Sequence, residues 1–186
     1  MLQIIPNLIT SLRLLLAIPI YIFIYQGSEF LALILFVVAG FSDGLDGYLA
    51  RRFKWESKFG KLLDPLADKF LILGTLLALA FANLLPMWLV GLLLIRDGLA
   101  VIGAMLYLML FEGRSPESNR WGKHFTGWVI ALFIITLLNE IIVSSLFFLG
   151  LLKQIATLGV LVFSLLSVIY YLRREGKEVY DHLFKS

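Results

Sequence analysis

Residues 43–68 read DGLDGYLARRFKWESKFGKLLDPLAD and put acidic side chains where an otherwise apolar chain has few. Four aspartates fall here, Asp43, Asp46, Asp64 and Asp68, out of thirteen acidic residues in the protein. The first two are three apart and the last two are four apart. On helices, both spacings set the pair on one face. Apolar runs flank the stretch on both sides, so the pattern predicts two helices whose ends bring four carboxylates together. Unneutralised in a low-dielectric setting, such a cluster repels itself strongly. Hard divalent cations relieve the repulsion, because Mg²⁺ prefers oxygen ligands and substrate phosphates.

The rest of the chain has the composition of a membrane protein. Of 186 residues, 60% are hydrophobic and 16% are charged. A soluble domain is about 45–50% apolar and about 25% charged. A span needs about 20 mainly apolar residues, and six segments fit: 8–26, 30–50, 62–82, 86–111, 123–139 and 147–172. The breaks between them are Gly27 to Glu29, the basic 51–61 loop, Asn83 to Pro86, the polar 112–122 loop and the stretch near 139–145. The fold class expected is an all-α integral membrane protein, a bundle of six transmembrane helices forming one domain over residues 1–186. There are no cysteines, which excludes disulfides, thiolate metal sites and a cysteine nucleophile. A cleavable signal peptide is not expected, since the first residues lack a basic region and a small-residue cleavage site.

Lysine and arginine give the orientation. The 51–61 loop holds Arg51, Arg52, Lys54, Lys58 and Lys61; the 112–123 region holds Arg114, Arg120 and Lys123; the tail holds Arg173, Arg174, Lys177 and Lys185. The other connections are nearly bare. The positive-inside rule then puts both termini and the aspartate stretch on the cytoplasmic side. The net charge of +3 is therefore a matter of topology, and no nucleic-acid partner is expected.

Written as a pattern, the stretch is D-x2-D-G-x2-A-R-x8-G-x3-D-x3-D, carried by Asp43, Asp46, Gly47, Ala50, Arg51, Gly60, Asp64 and Asp68. This resembles the signature of the CDP-alcohol phosphatidyltransferase family. The opening IPNLITSLR, the run LLDPLADK and the six-span layout are similar to its glycerophospholipid branch. The resemblance implies a multi-pass enzyme of a bacterial inner membrane, working as a homodimer with its active site facing the cytoplasm. It would move the phosphatidyl group of CDP-diacylglycerol to an alcohol and release CMP. Asp43, Asp46, Asp64 and Asp68 would hold Mg²⁺ or Mn²⁺, two ions in all, and Asp68 would be the general base. Asp43, Gly47, Ala50, Arg51 and Gly60 would line the CDP and diphosphate site. Arg51 suits that task through its planar fork, and Gly47 through close backbone approach. Taken one at a time, each aspartate also has a second, less favoured reading as a solvated loop charge balancing nearby Lys and Arg. Eight matched positions at fixed spacing outweigh that reading.

The acceptor is expected to be a glycerol-type alcohol, glycerol 3-phosphate in first place. Arg96, Arg114, Arg120 and Lys123 are the candidates to hold its phosphate. Phosphatidylglycerol, the acceptor of cardiolipin synthases, is the alternative. Members using glycerol 3-phosphate carry a further arginine where this chain has Ala104 or Met105, and the Arg96–Asp97 pair is shared with cardiolipin synthases. Ionisable groups at this depth usually face a bundle interior or polar cavity. Arg96 thus reads either as a pocket wall or as a structural arginine paired with Asp97. Arg13 could face the site with Asn7 and Thr10, but the reading favoured here is that it snorkels to the interface. His124 and His182 carry no ligand spacing. The tryptophans read as interfacial belt residues. Two other classes fit less well. A catalytically inactive lipid-binding membrane protein would not need the intact signature, and a transporter site would lie nearer the midplane within repeats.

Overall fold

The computed structural model describes residues 4–53, 58–111, 120–142 and 146–179; the side chains described are those of 13, 15–42, 67–111, 120–142, 147–174 and 176–179. The helices are α1 (Ile4–Tyr25), α2 (Glu29–Phe53), α3 (Lys58–Phe81), α4 (Met87–Leu110), α5 (Arg120–Ile141) and α6 (Leu146–Tyr171), and a π-helical turn, Leu172–Gly176, continues α6. No strand occurs among the described residues. Each helix covers one expected span. Met87–Leu110, Arg120–Ile141 and Phe147–Val179 are long and apolar enough to cross a membrane, while Leu15–Tyr25 and Glu29–Ser42 are shorter apolar stretches. The protein is an all-α integral membrane protein.

The boundaries move at the basic loop. Helix α2 runs on to Phe53 and α3 begins at Lys58, beyond the expected ends at 50 and 62. A hydropathy window stops where polar residues begin, whereas a helix continues through good formers such as Ala50, Arg51 and Arg52. Most of the signature therefore stands on helix, not on loop.

Two helix ends show why the breaks lie where they do. Gly27 has φ 72°, with Ser28 N–H donating to Phe23 C=O (2.8 Å) and Gly27 N–H to Ile24 C=O (3.2 Å). This is a Schellman stop, which needs a left-handed residue and favours glycine. Asn83, φ 60°, ends α3 in the same way: Leu84 N–H bonds Leu79 C=O (2.8 Å) and Asn83 N–H bonds Ala80 C=O (3.0 Å). Asparagine tolerates this conformation better than other non-glycine residues.

The chain divides into two compact units, Met1–Met87 with Thr136–Leu146, and Trp88–Ile135 with Phe147–Ser186. In the first unit, α1 buries Ile20 and Ile24, α2 buries Ala32, Phe36 and Ala39, and α3 buries Ala67, Leu71, Thr75 and Leu79. The intervals of three and four are those of a single helical face. Helices α1 and α3 lie alongside each other in parallel: Arg13 meets Asp68, and further along both helices Ala17 lies against Gly74.

In the second unit, α6 turns a row of small and polar residues inward, Ala156, Val160, Ser164 and Ser167. Small side chains let membrane helices approach closely. Trp121, His124 and Trp128 of α5 gather round Phe163, with ring centroids 6.1, 5.4 and 6.2 Å away. Trp128 therefore departs from the expected interfacial belt; it packs in a slot on α6. A Cβ added at Gly159 would lie 2.5 Å from Trp128 Cε3 and 2.9 Å from Cε2. Gly159→Ala is expected to destabilise the protein by about 1–3 kcal/mol through overpacking. Thermal unfolding in detergent checks this; an unchanged midpoint would show that the indole simply moves aside.

Candidate active site

The backbone places Asp43 and Asp46 on α2 and Asp64 and Asp68 on α3, with each pair about one helical turn apart. Gly47, Ala50 and Arg51 also lie on α2, Gly60 is in the first turn of α3, and Asn7 and Thr10 are on α1. The side chains of these residues, Asp68 apart, lie outside the described residues, and so does all of Arg114. Among the described residues no group of three His, Cys, Asp or Glu is placed to hold a metal.

Asp68 is described, and its surroundings are specific. Arg13 Nη1 donates to Asp68 Oδ1 at 2.7 Å. The arginine side chain is 0% exposed and the aspartate 45%. The expectation that Arg13 snorkels to the interface is thus overturned. Snorkelling lets a long basic side chain reach water when nothing nearer neutralises it. Here the close approach of α1 and α3 supplies a carboxylate, and the guanidinium turns inward. Next to Asp68, Ala67 and Leu71 are buried while Lys69 and Phe70 are exposed.

Three acceptor candidates, Arg96, Arg120 and Lys123, lie in the other unit. Arg96 Nη1 donates to Asp97 Oδ1 (2.6 Å) and Nη2 to Ser167 Oγ (2.6 Å). Its guanidinium carbon lies 4.1 Å from the centroid of the Phe125 ring. One arginine thus ties α4 to α5 and α6. Its Nε is buried and has no hydrogen-bond partner among the described residues. Among the described residues Arg96 is also the one charged residue lining a cavity of about 300 Å³, whose walls include Leu99, Gly103 and Leu106 of α4 and Val168 of α6. The structural reading of Arg96 describes what its two terminal nitrogens do. The pocket-wall reading is supported by the remaining N–H and the cavity. Ser167 and Phe125 were not legible as its partners, because neither is near Arg96 in the chain.

Arg120 and Lys123 are both exposed in the first turn of α5. Two cations at a helix N-terminus add to the positive end of the helix dipole, a setting suited to an anion. His124 packs on Phe163, in keeping with its lack of ligand spacing. At the far end of α4, Tyr107 Oη donates to Glu178 Oε2 at 2.9 Å, fastening the segment that follows α6.

Residues 3–169 match the model of the CDP-alcohol phosphatidyltransferase family. The chain belongs to this family. Among its relatives in the CDP-alcohol phosphatidyltransferase family, the cardiolipin synthase (CMP-forming) of Streptomyces coelicolor is 35% identical over 144 residues, covering 73% of this chain and 66% of that protein. The probable cardiolipin synthase (CMP-forming) of Drosophila melanogaster is 37% identical over 139 residues, covering 74% of this chain and 42% of that protein. The CDP-diacylglycerol--glycerol-3-phosphate 3-phosphatidyltransferase of Aquifex aeolicus is 31% identical over 180 residues, 95% of this chain and 98% of that protein. The chain thus spans less than two thirds of the length of the first two relatives and nearly all of the third.

Proposed function

We propose that the protein is a phosphatidyltransferase of phospholipid biosynthesis, acting as a single transmembrane catalytic domain. It transfers the phosphatidyl group of CDP-diacylglycerol to a glycerol-type alcohol, glycerol 3-phosphate in first place, and releases CMP. One observation carries the reading: the signature aspartates stand on α2 and α3, and Asp68 is half-exposed on an arginine anchor. The near end-to-end match with the Aquifex protein supports glycerol 3-phosphate.

The acceptor hydroxyl oxygen attacks the phosphorus that bears the diacylglycerol. The bond from that phosphorus to the bridging oxygen breaks, and CMP leaves with that oxygen. Asp68 accepts the hydroxyl proton, a task a carboxylate performs when within hydrogen-bond reach. Arg51 pairs with the diphosphate, and Gly47, Ala50 and Gly60 keep the backbone open to the nucleotide. Asp43, Asp46, Asp64 and Asp68 would form an all-carboxylate donor set, which fits a hard divalent cation. They would hold two Mg²⁺ or Mn²⁺ ions, whose charge would offset that of the diphosphate. Arg120, Lys123, Arg114 and Arg96 hold the acceptor phosphate. We place the site on the cytoplasmic face, where the positive-inside rule puts the basic loops; the bacterial inner membrane and the homodimer are what the family resemblance implies.

Transfer to phosphatidylglycerol, giving cardiolipin, is the second reading. The cavity favours it: about 300 Å³ walled largely by apolar side chains next to Arg96 suits an acyl chain better than a glycerol phosphate. Purified protein with CDP-diacylglycerol and Mg²⁺ or Mn²⁺, given the two acceptors in separate assays, tests both. CMP release on adding glycerol 3-phosphate is expected. Release with phosphatidylglycerol alone would reassign the acceptor, and release with neither would leave a lipid-binding protein without turnover.

A further inference from the structure

We propose that Arg13 is a positioning residue of the transfer reaction, acting through Asp68; the inference rests on the phosphatidyltransferase reading above.

The argument begins with what a buried arginine costs. Taking a guanidinium out of water is unfavourable by several kcal/mol, and a good ion pair recovers only part of that. An apolar residue at position 13 of α1 would pack at no such cost. A purely structural ion pair would be expected to bury both ends. This one does not: Arg13 is sealed at 0% exposure, while Asp68 is 45% exposed. The cation is behind and the carboxylate faces outward, the arrangement of an anchor holding a working group. Arg13 stands on α1 and Asp68 on α3, so the 2.7 Å hydrogen bond also fixes the carboxylate to a second helix.

The guanidinium suits this role because its donors form a rigid planar fork. An N–H on Oδ1 restricts rotation of the carboxylate and sets the direction of its other oxygen. A general base whose geometry is fixed before substrate arrives loses less rate to disorder than one that must be oriented at each turnover.

Two measurements test the inference. In steady-state CMP release, Arg13→Met is expected to lower kcat by about 10- to 100-fold with the KM for CDP-diacylglycerol within about twofold of wild type, in line with losing the orientation of one catalytic group. Arg13→Lys is expected to recover about tenfold of that, since an ammonium still donates one hydrogen bond. A wild-type kcat in Arg13→Met, a loss confined to KM, or no recovery with lysine would each overturn the proposal. If Arg13→Met does not fold, Arg13→Lys must itself show reduced kcat at unchanged KM, and a wild-type kcat there overturns it. The second measurement needs no turnover. In a double-mutant cycle of thermal midpoints, Arg13→Met and Asp68→Asn should couple, their combined effect differing from the sum of the two single effects. Strictly additive effects would refute the pairing. Wild-type protein releasing no CMP with either acceptor would remove the transfer reading, and this inference with it; active wild type with an indifferent Arg13 removes the inference alone.

Discussion

Asp68→Asn is expected to reduce CMP release by about 10²–10⁴-fold, the range for removing a general base, while the protein remains folded. The amide matches the carboxylate in shape, and its carbonyl oxygen can still accept the hydrogen bond from Arg13. What it lacks is a site for the acceptor's proton and the negative charge that a divalent cation needs. Asp64→Asn is expected to abolish release for the second reason alone, so extra Mg²⁺ or Mn²⁺ should restore part of its activity, whereas in Asp68→Asn it should leave the loss due to the missing base in place. Initial rates across a metal titration measure both. Turnover unchanged in either variant would end the assignment of these carboxylates. The assays belong well below the wild-type melting temperature, because Asp68→Asn takes one carboxylate away from a fully buried cation.

Much of this molecule is legible in its sequence, and the residues show where that legibility stops. The six helices follow from apolar length and from stops such as Gly27 and Asn83, whose left-handed conformations are local properties of the chain. The aspartate pairs are legible for the same reason, since spacings of three and four depend on nothing beyond one helix. Arg13 is different. A cation inside a span can reach the interface or meet a counter-charge, and the choice depends on how closely another helix approaches. Asp68 is 55 residues further along the chain, and hydropathy carries no information about that contact. Trp128 follows the same logic: tryptophan favours the interface in general, but Gly159 on another helix opens a slot for it. Arg96 lies between these cases. Its pairing with adjacent Asp97 could be read directly, whereas Ser167 lies 71 residues away and needs the packing of α4 on α6.

That network around Arg96 carries the second large effect. Asp97→Leu is expected to destabilise the protein by up to about 3 kcal/mol, the lower end of the cost of breaking a buried pair from one side, because the two side chains are 12% and 28% exposed. Among the described residues Arg96 would keep Ser167 Oγ and the face of Phe125, both neutral, with its side chain 12% exposed. For a chain of this size the thermal midpoint should fall on the order of 10 °C. Arg96→Met/Asp97→Leu should recover most of the loss, because replacing both members of a buried pair with apolar groups is often neutral or stabilising. If the single and double variants melt alike, the charge pair is not what the second unit depends on. A folded double variant also separates the two roles of Arg96. Its stability reports the tie to Asp97 and Ser167, whereas its KM for the acceptor reports the buried N–H beside the cavity. A raised acceptor KM at wild-type stability would place Arg96 in the acceptor site, and an unchanged KM would leave it a structural residue.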